Sequence, residues 1–596
     1  MIESGLQPGS DDGVAERHMW LVDPRDGDVE DDVSSPKRRS LVALFGSLLV
    51  EVSIPKLLFA WTTLILLPAL LLGLAPVIAA TWLKSVPRDV AESTEFGTAL
   101  VFVAILGLGW IGWRPLLRIA EVNFWSLNAD VVQPVYVFCR EALRYLGERT
   151  FGGGSAITGR GRVRAISSAA AGVLLCGCGL LLALLVWPAS RWVGTMADVL
   201  SLRSLAVPTL ANAVVLICAY LAIASLIWGF ADATMDQPND LDAFDAGSSG
   251  PRWRVAHLSD IHLVGERYGF RIESGRSGPR GNDRFAQIMA QIAAIHEDRA
   301  LDLILISGDL TDAGRATEWA EFLDAAARHP QLVERMIVLP GNHDLNIVDR
   351  LNPARLDLPF SPSKRLRQMR ALSALAAVQG HRVHVVDRDS GKLGRTLAEA
   401  LVPYRRRIAA FADLGSLRLA VQLRRVWDQQ FPMILPPTTA NGLGVLILDS
   451  NAETHFSFTN ALGMVSAEQT ARLAAAIARF PEAYWIIALH HHLLEYPMSA
   501  ATLSERIGTA LINGSWFVRR LKSFAARAVV MHGHRHIDWI GACGKLKIIS
   551  APSPIMGAKN DVSTYFYIHT LAPGLDGQLR LLPPERVEVA GVSSPD

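Results

Sequence analysis

The chain has 596 residues, half of them hydrophobic and 19% charged, with a formal net charge of +1 at neutral pH. That length allows more than one domain, and the balanced charge excludes both a general nucleic-acid binder and an acidic scaffold. Fifteen of the 16 histidines lie at or beyond His257, so the metal- and proton-handling residues belong to one half of the chain and the apolar excess to the other.

Residues 1–50 are polar and read as a disordered tail without the basic start, short apolar core and cleavage site of a removable signal peptide. Residues 51–231 hold four apolar stretches, at about 57–82, 97–113, 165–188 and 206–230, none containing Asp, Glu, Lys or Arg. Most reach the ~20 residues a helix needs to cross a bilayer, so an all-α transmembrane region of about four helices is expected. Between the second and third stretches stand Arg114, Arg118, Arg140, Arg144, Arg149, Arg160, Arg162 and Arg164. Between the first and second, only Lys84 and Arg88 face Asp89, Glu92 and Glu95. The positive-inside rule then puts the N-terminus, the arginine-rich loop and the C-terminal half in the cytoplasm, as in a multi-pass protein of the inner (cytoplasmic) membrane. The lack of charge within the spans argues against an ion or substrate path through them. Cys176, Cys178 and Cys218 fall inside predicted spans, and no disulfide framework is visible.

Residues 232–251 turn polar and rich in Asp, Gly and Ser, as a linker would. Across 252–590, short apolar strands (254–258, 303–307, 336–339, 444–448, 485–489, 528–531) alternate with amphipathic helices near 284–296 and 317–327, and more strand-like runs continue to Tyr567. This alternation predicts an α/β domain with a central sheet flanked by helices. A strongly basic insertion, about 345–437, interrupts the series with Lys364, Arg365, Arg367, Arg370, Arg405, Arg406, Arg407, Arg424 and Arg425, and its periodicity suggests two or three helices. It reads as a lid carrying guanidinium groups to a polyanionic substrate, as a surface lying on the anionic inner leaflet, or as a solvated helical face.

Five short blocks carry the chemistry: Asp260-Ile261-His262, Gly308-Asp309, Gly341-Asn342-His343-Asp344, His490-His491-His492 and Gly533-His534-Arg535-His536. Each follows an apolar, β-branched run, so each sits where a buried strand ends. In an extended chain alternate side chains share a face, so Asp260 and His262 point together, as do His534 and His536. Mixed oxygen and nitrogen donors suit Mn, Fe or Zn better than an all-oxygen calcium cage. Asp309 has two oxygens and can bridge two divalent metal ions ~3.5–4 Å apart; Asn342 can lend an amide oxygen. His343 can then reach the substrate, to stabilise the phosphoryl group or protonate the leaving oxygen, with Asp344 orienting it. Asp312 fits a supporting position better than a ligand.

In this order the blocks resemble those of the calcineurin-like metallophosphoesterase superfamily, over roughly residues 253–584, and are most similar to its bacterial cyclic-nucleotide phosphodiesterase type. The resemblance implies a β-sandwich flanked by helices with the ligands on loops at one edge. It implies one metal held by Asp260, His262, Asp309 and His536, a second held by Asp309, Asn342, His490 and His534, and His343 on the phosphate. His491 stays open as an alternative to His490, because Leu493 and Leu494 follow the histidine run where many relatives have a proline two residues on. The expected activity is hydrolysis of a phosphodiester or related phosphate ester by hydroxide activated between the two metals. The partners are then a phosphate-ester substrate and the lipid bilayer, with no nucleic acid. The other readings are a membrane sensor that binds a phosphorylated ligand, and a hydrolase of lipid-linked pyrophosphates; relatives of the latter kind often carry Arg where His343 stands.

Overall fold

The computed structural model describes residues 21–26, 66–92, 132–151, 157–192, 201–241, 243–245, 250–265, 280–349, 362–387, 392–455, 457–498, 511–556 and 562–591, with a few single residues between them. The chain divides into two compact units, one formed by Val52–Met235 with Ala501–Ile507, the other by Met1–Glu51, Asp236–Ala500 and Gly508–Asp596.

The first unit contains helices α1 (Leu67–Glu92), α2 (Gln133–Phe151), α3 (Ile157–Ser190) and α4 (Leu202–Ala233). Two stretches, Gly161–Ser190 in α3 and Arg203–Ala233 in α4, are long and apolar enough to cross a membrane, while the apolar part of α1, Leu67–Thr81, is shorter. At 1.5 Å per residue each long stretch extends about 45 Å, against a hydrocarbon core of about 30 Å. Leu184 and Leu185 on α3 and Ile223 and Phe230 on α4 are exposed, which suits an apolar solvent better than water. Of the four expected spans, then, two have such helices, the first is only partly matched by α1, and the second (97–113) lies outside the described residues. The polar groups gather around α2. Arg140 donates to Asp232 (2.6 Å), Arg144 to Glu141 (2.9 Å) and Ser168 (2.8 Å), and Arg164 to Glu148 (2.7 Å). Several arginines of the basic loop therefore serve internal ion pairs.

The second unit begins with β1 (Pro238–Asp240) and β2 (Trp253–Leu258), followed by α5 (Arg280–Asp298), β3 (Leu303–Ile306), α6 (Ala316–Ala327) and β4 (Met336–Val338). Next come α7 (Pro362–Gln379), β5 (His384–Val386), β6 (Leu393–Thr396), α8 (Arg405–Leu414), α9 (Leu417–Leu423), α10 (Val426–Gln430) and β7 (Met433–Leu435). The rest comprises β8 (Leu443–Ile447), α11 (Ala467–Ala478), β9 (Tyr484–Ala488), α12 (Gly514–Leu521), β10 (Ala528–His532), β11 (Trp539–Cys543), β12 (Leu546–Ser550), β13 (Thr564–Pro573), β14 (Leu579–Leu581) and β15 (Glu585–Val589).

These strands form two sheets. One runs β14-β13-β2-β3-β4, with β15 also on β13; the other has nine strands in the order β1-β11-β12-β10-β9-β8-β7-β5-β6. The centres are parallel: Val255 lies opposite Leu303, Ile304 opposite Met336, Val445 opposite Ile486 and Ile487 opposite Val530. Such strands are covered on both faces, which is why they read as unbroken apolar runs. Val445, Ile447, Ile486, Ala488, Val529 and Met531 join one core with Val255, Ile304 and Ile306 of the other sheet. Their alternates Leu446, Ile487 and Val530 join a second core with Leu473 of α11 and Phe517 of α12. The result is an α/β sandwich of two facing sheets with helices outside. On α5, Phe285, Ile288, Met289 and Ile292 are buried, the i, i+3, i+4, i+7 stripe that packs a helix on a sheet.

Three expectations change here. Part of the linker is the edge strand β1, pairing Pro238 with Cys543 and Asp240 with Gly541, while Asp240 accepts from the Trp539 indole (2.9 Å). An edge strand offers unpaired backbone groups that an adjoining extended segment satisfies. The basic insertion is not purely helical, for β5, β6 and β7 extend the nine-stranded sheet beyond β8. Within the tail, Leu21 is buried in the core of this unit and Arg25 pairs with Asp324 of α6 at 2.6 Å.

Candidate metal centre

The five blocks follow the carboxyl ends of five parallel strands, β2, β3 and β4 in one sheet and β9 and β10 in the other. Backbone hydrogen bonds carry the pairing into the loops. Asp260 N donates to Gly308 O (3.0 Å), His262 N to Asp309 O (2.9 Å) and Gly533 N to His490 O (3.1 Å). The two sheets are sewn together by His534 N on Asp260 Oδ2 (3.0 Å) and by the His490 ring on Ser307 O (2.8 Å).

Among the described residues, the non-glycine positions with left-handed backbone are Asp260 (φ 57°), His262 (48°), Asp309 (50°), His534 (78°) and His536 (53°). Every one is a candidate ligand. Asp260 and His262 therefore do not converge as alternate residues of an extended strand, as the sequence suggested. They lie beyond the end of β2, and two left-handed turns flanking the buried Ile261 aim both side chains inward. Neighbouring glycines let the loops close: a Cβ on Gly341 would lie 2.1 Å from Asp309 Oδ1, and one on Gly533 would lie 1.8 Å from Ser259 Oγ.

The side chains form three overlapping groups, Asp260–His262–His536, His262–Asp309–His343 and Asp309–His490–His534, with donor atoms within 4.8 Å of one another in each. His490 Nε2 stands 3.3 Å from Asp309 Oδ2 and 3.2 Å from Asn342 Oδ1, and faces His534 Nδ1 at 3.1 Å. Its other nitrogen bonds a backbone carbonyl, so Nδ1 carries a proton and Nε2 is the atom turned into the cluster. His491 instead turns to Ser450 Oγ (2.9 Å), and His492 lies 3.6 Å from Glu495 and stacks on Tyr496. Of the three adjacent histidines, His490 is the one brought to the carboxylates.

The electrostatics suit divalent cations. Burial alone would depress His490 and His536, yet Asp309 and Asp260 reverse this and raise both, His490 to about 9. Asp260 is itself held low against its burial, chiefly by His536. His534 Nε2 is buried without a hydrogen-bond partner, which is costly unless something else satisfies it, and Asp260 Oδ1 faces His536 Nε2 at 3.3 Å. Carboxylate, imidazole and amide donors in one buried cluster fit a pair of Mn, Fe or Zn ions. His343 and His536 are the members left partly accessible, so the cluster opens beside them.

His343 and Asp344 have separate duties. His343 Nδ1 bonds the carbonyl of Asp312 (2.7 Å), leaving Nε2 for the open side. The Asp344 carboxylate accepts from Thr311 N (2.9 Å), Thr311 Oγ1 (2.6 Å), Gly341 N (2.8 Å) and Leu310 N (3.3 Å). Asp344 thus locks the Asp309 loop to the Asn342 loop and does not orient His343. The cause is local: residues 342–345 form one helical turn, on which neighbours diverge by about 100°.

Two features escaped the sequence reading. Ser450, just beyond β8, accepts from the backbone of His490 and His491 (both 3.2 Å), and the polar run Asp449-Ser450-Asn451 at a strand end was its only signal. Arg535, between two candidate ligands, pairs with Glu495 at 3.0 Å and so ties the His490 loop to the His534 loop. Beside Leu345 and Asn346 lies a cavity of about 400 Å³, walled by Lys364, Arg365, Arg424 and Arg425 from the insertion and by Asp449 and Glu453.

Residues 254–399 match the calcineurin-like phosphoesterase family. The segment also resembles the 3′,5′-cyclic adenosine monophosphate phosphodiesterase CpdA of Haemophilus influenzae, at 29% identity over 112 residues, which is 19% of this chain and 39% of that protein. The chain thus spans well under half of this curated relative. Among solved structures, a candidate 5′-nucleotidase from Staphylococcus aureus aligns over 58% of this chain and 55% of its own, with 12% identity and a TM-score of 0.29. The NAD nucleotidase of Haemophilus influenzae aligns over 57% of both chains, with 10% identity and a TM-score of 0.28. The calcineurin-like phosphoesterase segment contains the first three of the five blocks; the two histidine blocks lie beyond it.

Proposed function

We propose that this chain is a membrane-anchored, metal-dependent phosphoesterase that hydrolyses a phosphodiester or a related phosphate ester. The observation that carries the reading is the sharing of Asp309 between two of the three donor groups, as a carboxylate bridging two cations requires. Asp260, His262, Asp309 and His536 would hold one ion, and Asp309, Asn342, His490 and His534 the other. Divalent ions there supply Lewis acidity toward phosphate oxygens and lower the pKa of water from ~15.7 toward neutrality. His343, its Nδ1–H held by the Asp312 carbonyl, presents Nε2 to a phosphoryl oxygen or to the leaving oxygen and donates there as the imidazolium. No Ser or Cys nucleophile is needed, and Ser259 is occupied with Ser307 O at 3.2 Å. The CpdA likeness makes cyclic nucleotides the first substrate class to try. In this reading α3 and α4 anchor the chain, and the loop arginines keep the phosphoesterase unit in the cytoplasm.

The test is turnover by the detergent-purified chain, reloaded with Mn²⁺, on paired chromogenic phosphate mono- and diesters, with Asp309→Ala as control. Diester turnover that falls at least ~10³-fold in the variant, with metal content reduced, is the expected result. Wild-type turnover by Asp309→Ala at full metal loading would overturn the shared-carboxylate assignment.

A further inference from the structure

The basic insertion presents an unusual outer face. On α8, Ile408, Phe411 and Ala412 are buried, and on α9, Ala420 and Leu423 are buried, so these sides pack inward. Turned outward instead are Val402 (52% exposed), Leu414 (70%), Leu417 (58%) and Val421 (51%). Around them Arg405, Arg406, Arg407, Arg418, Arg424 and Arg425 are all exposed, and Asp413 is the one acidic residue between positions 402 and 425. Elsewhere in this unit the exposed large apolar residues among those described, such as Leu393, Met498, Val562 and Leu575, are scattered over separate loops and strand ends.

We infer that this face docks on the surface of an anionic lipid bilayer. Large apolar side chains among arginines, on short helices whose other side is buried, match the pattern of helices that lie in a membrane interface. The charge decides between occupants. A second copy of the chain, meeting this face about a two-fold axis, would oppose six arginines to six more, with Asp413 and, near Arg424 and Arg425, Asp428 on each side to answer them. Anionic headgroups answer them directly, and each basic side chain near such a surface is attracted. The bilayer is also the surface nearest to hand if α3 and α4 anchor the chain, and on that reading this inference rests. Arg424 and Arg425 also line the cavity beside Leu345 and Asn346, so the docked face adjoins that cavity.

The test uses the full chain in vesicles, with a diazirine-bearing amino acid at position 417, at position 184 on the exposed side of α3, or at position 575 on a distant loop. Vesicles are of phosphatidylcholine alone or with added phosphatidylglycerol. Unchanged diester turnover certifies that each labelled chain is folded, since none of these sites belongs to the metal centre. The expected result is lipid adducts at 184 in both vesicles, adducts at 417 that rise several-fold with phosphatidylglycerol, and none at 575. The Arg405→Gln, Arg406→Gln, Arg407→Gln triple variant should lose the rise. Adducts at 184 without any at 417 overturn the docking and leave the anchor standing, as does protein–protein crosslinking at 417, which would make the face a self-association surface. Equal labelling at 417 in both vesicles overturns the role given to charge. Absence of adducts at 184 brings down the anchor and the docking together.

Discussion

A left-handed backbone costs a non-glycine residue about 1–2 kcal/mol, and five donor residues of one cluster adopt it. Such strain persists where the surroundings over-determine it, here through the loop-to-loop hydrogen bonds and, on the proposed reading, through bound cations. Chelation should therefore lower the melting temperature of the purified chain by at least about 5 °C; an unchanged melting temperature after verified metal loss would sever strain from metal binding. His343 and Asp344 should separate cleanly. His343→Ala should cut turnover ~10²–10⁴-fold at unchanged stability. Asp344→Asn should instead destabilise by about 2–4 kcal/mol, since one amide oxygen cannot serve four donors. If Asp344→Asn slowed turnover without moving the melting temperature, the orienting role would return. Gly533→Ala should lower metal affinity by pressing on Ser259 and Asp260, and Ser259→Gly in the same chain should recover part of it, as metal titration would reveal. At this scale the spacing of residues does not say how they come together. Alternation in an extended chain and paired left-handed turns both bring residues i and i+2 together, and spacing cannot tell them apart.

Among the elements, the central parallel strands were legible because each is an apolar run covered on both faces, and the observed bounds of β2, β3, β8, β9 and β10 differ from expectation by only a residue or so. The strands missed, β1, β5, β6, β7, β14 and β15, are three to five residues long. Most mix polar with apolar positions, and their strand character comes from a neighbour's unpaired edge rather than from their own composition. Since β7 covers the edge of β8, with Ile434 opposite Leu446, residues 345–437 are structural as well as decorative. Excising them should yield aggregated protein, because β8 would become a long apolar edge. Size-exclusion chromatography decides this, and a monodisperse, metal-binding product would show the sheet to be complete without them.

For the molecule as a whole, histidines concentrate beyond His257 and apolar runs before it, and the chain divides into two compact units. The number of crossings was less legible, because hydropathy counts apolar length and cannot see which loop arginines are consumed by Asp232, Glu141 and Glu148. The docked turn at Pro24–Asp26 supplies a constraint of another kind. Leu21 and Arg25 belong to the second unit, and the chain returns to that unit at Asp236. A path that leaves one face of a sheet-like barrier and comes back to the same face must pierce it an even number of times. On the proposed membrane-anchored reading, α3 and α4 meet that parity by themselves. Should α1 also pierce the bilayer, a fourth passage is obligatory between residues 27 and 235, and 97–113 is the stretch fitted for it. Impermeant labelling of single-site tags at each end of the chain should therefore find both termini on one side, and an odd count would mean that Leu21 and Arg25 must let go before the protein can thread its membrane.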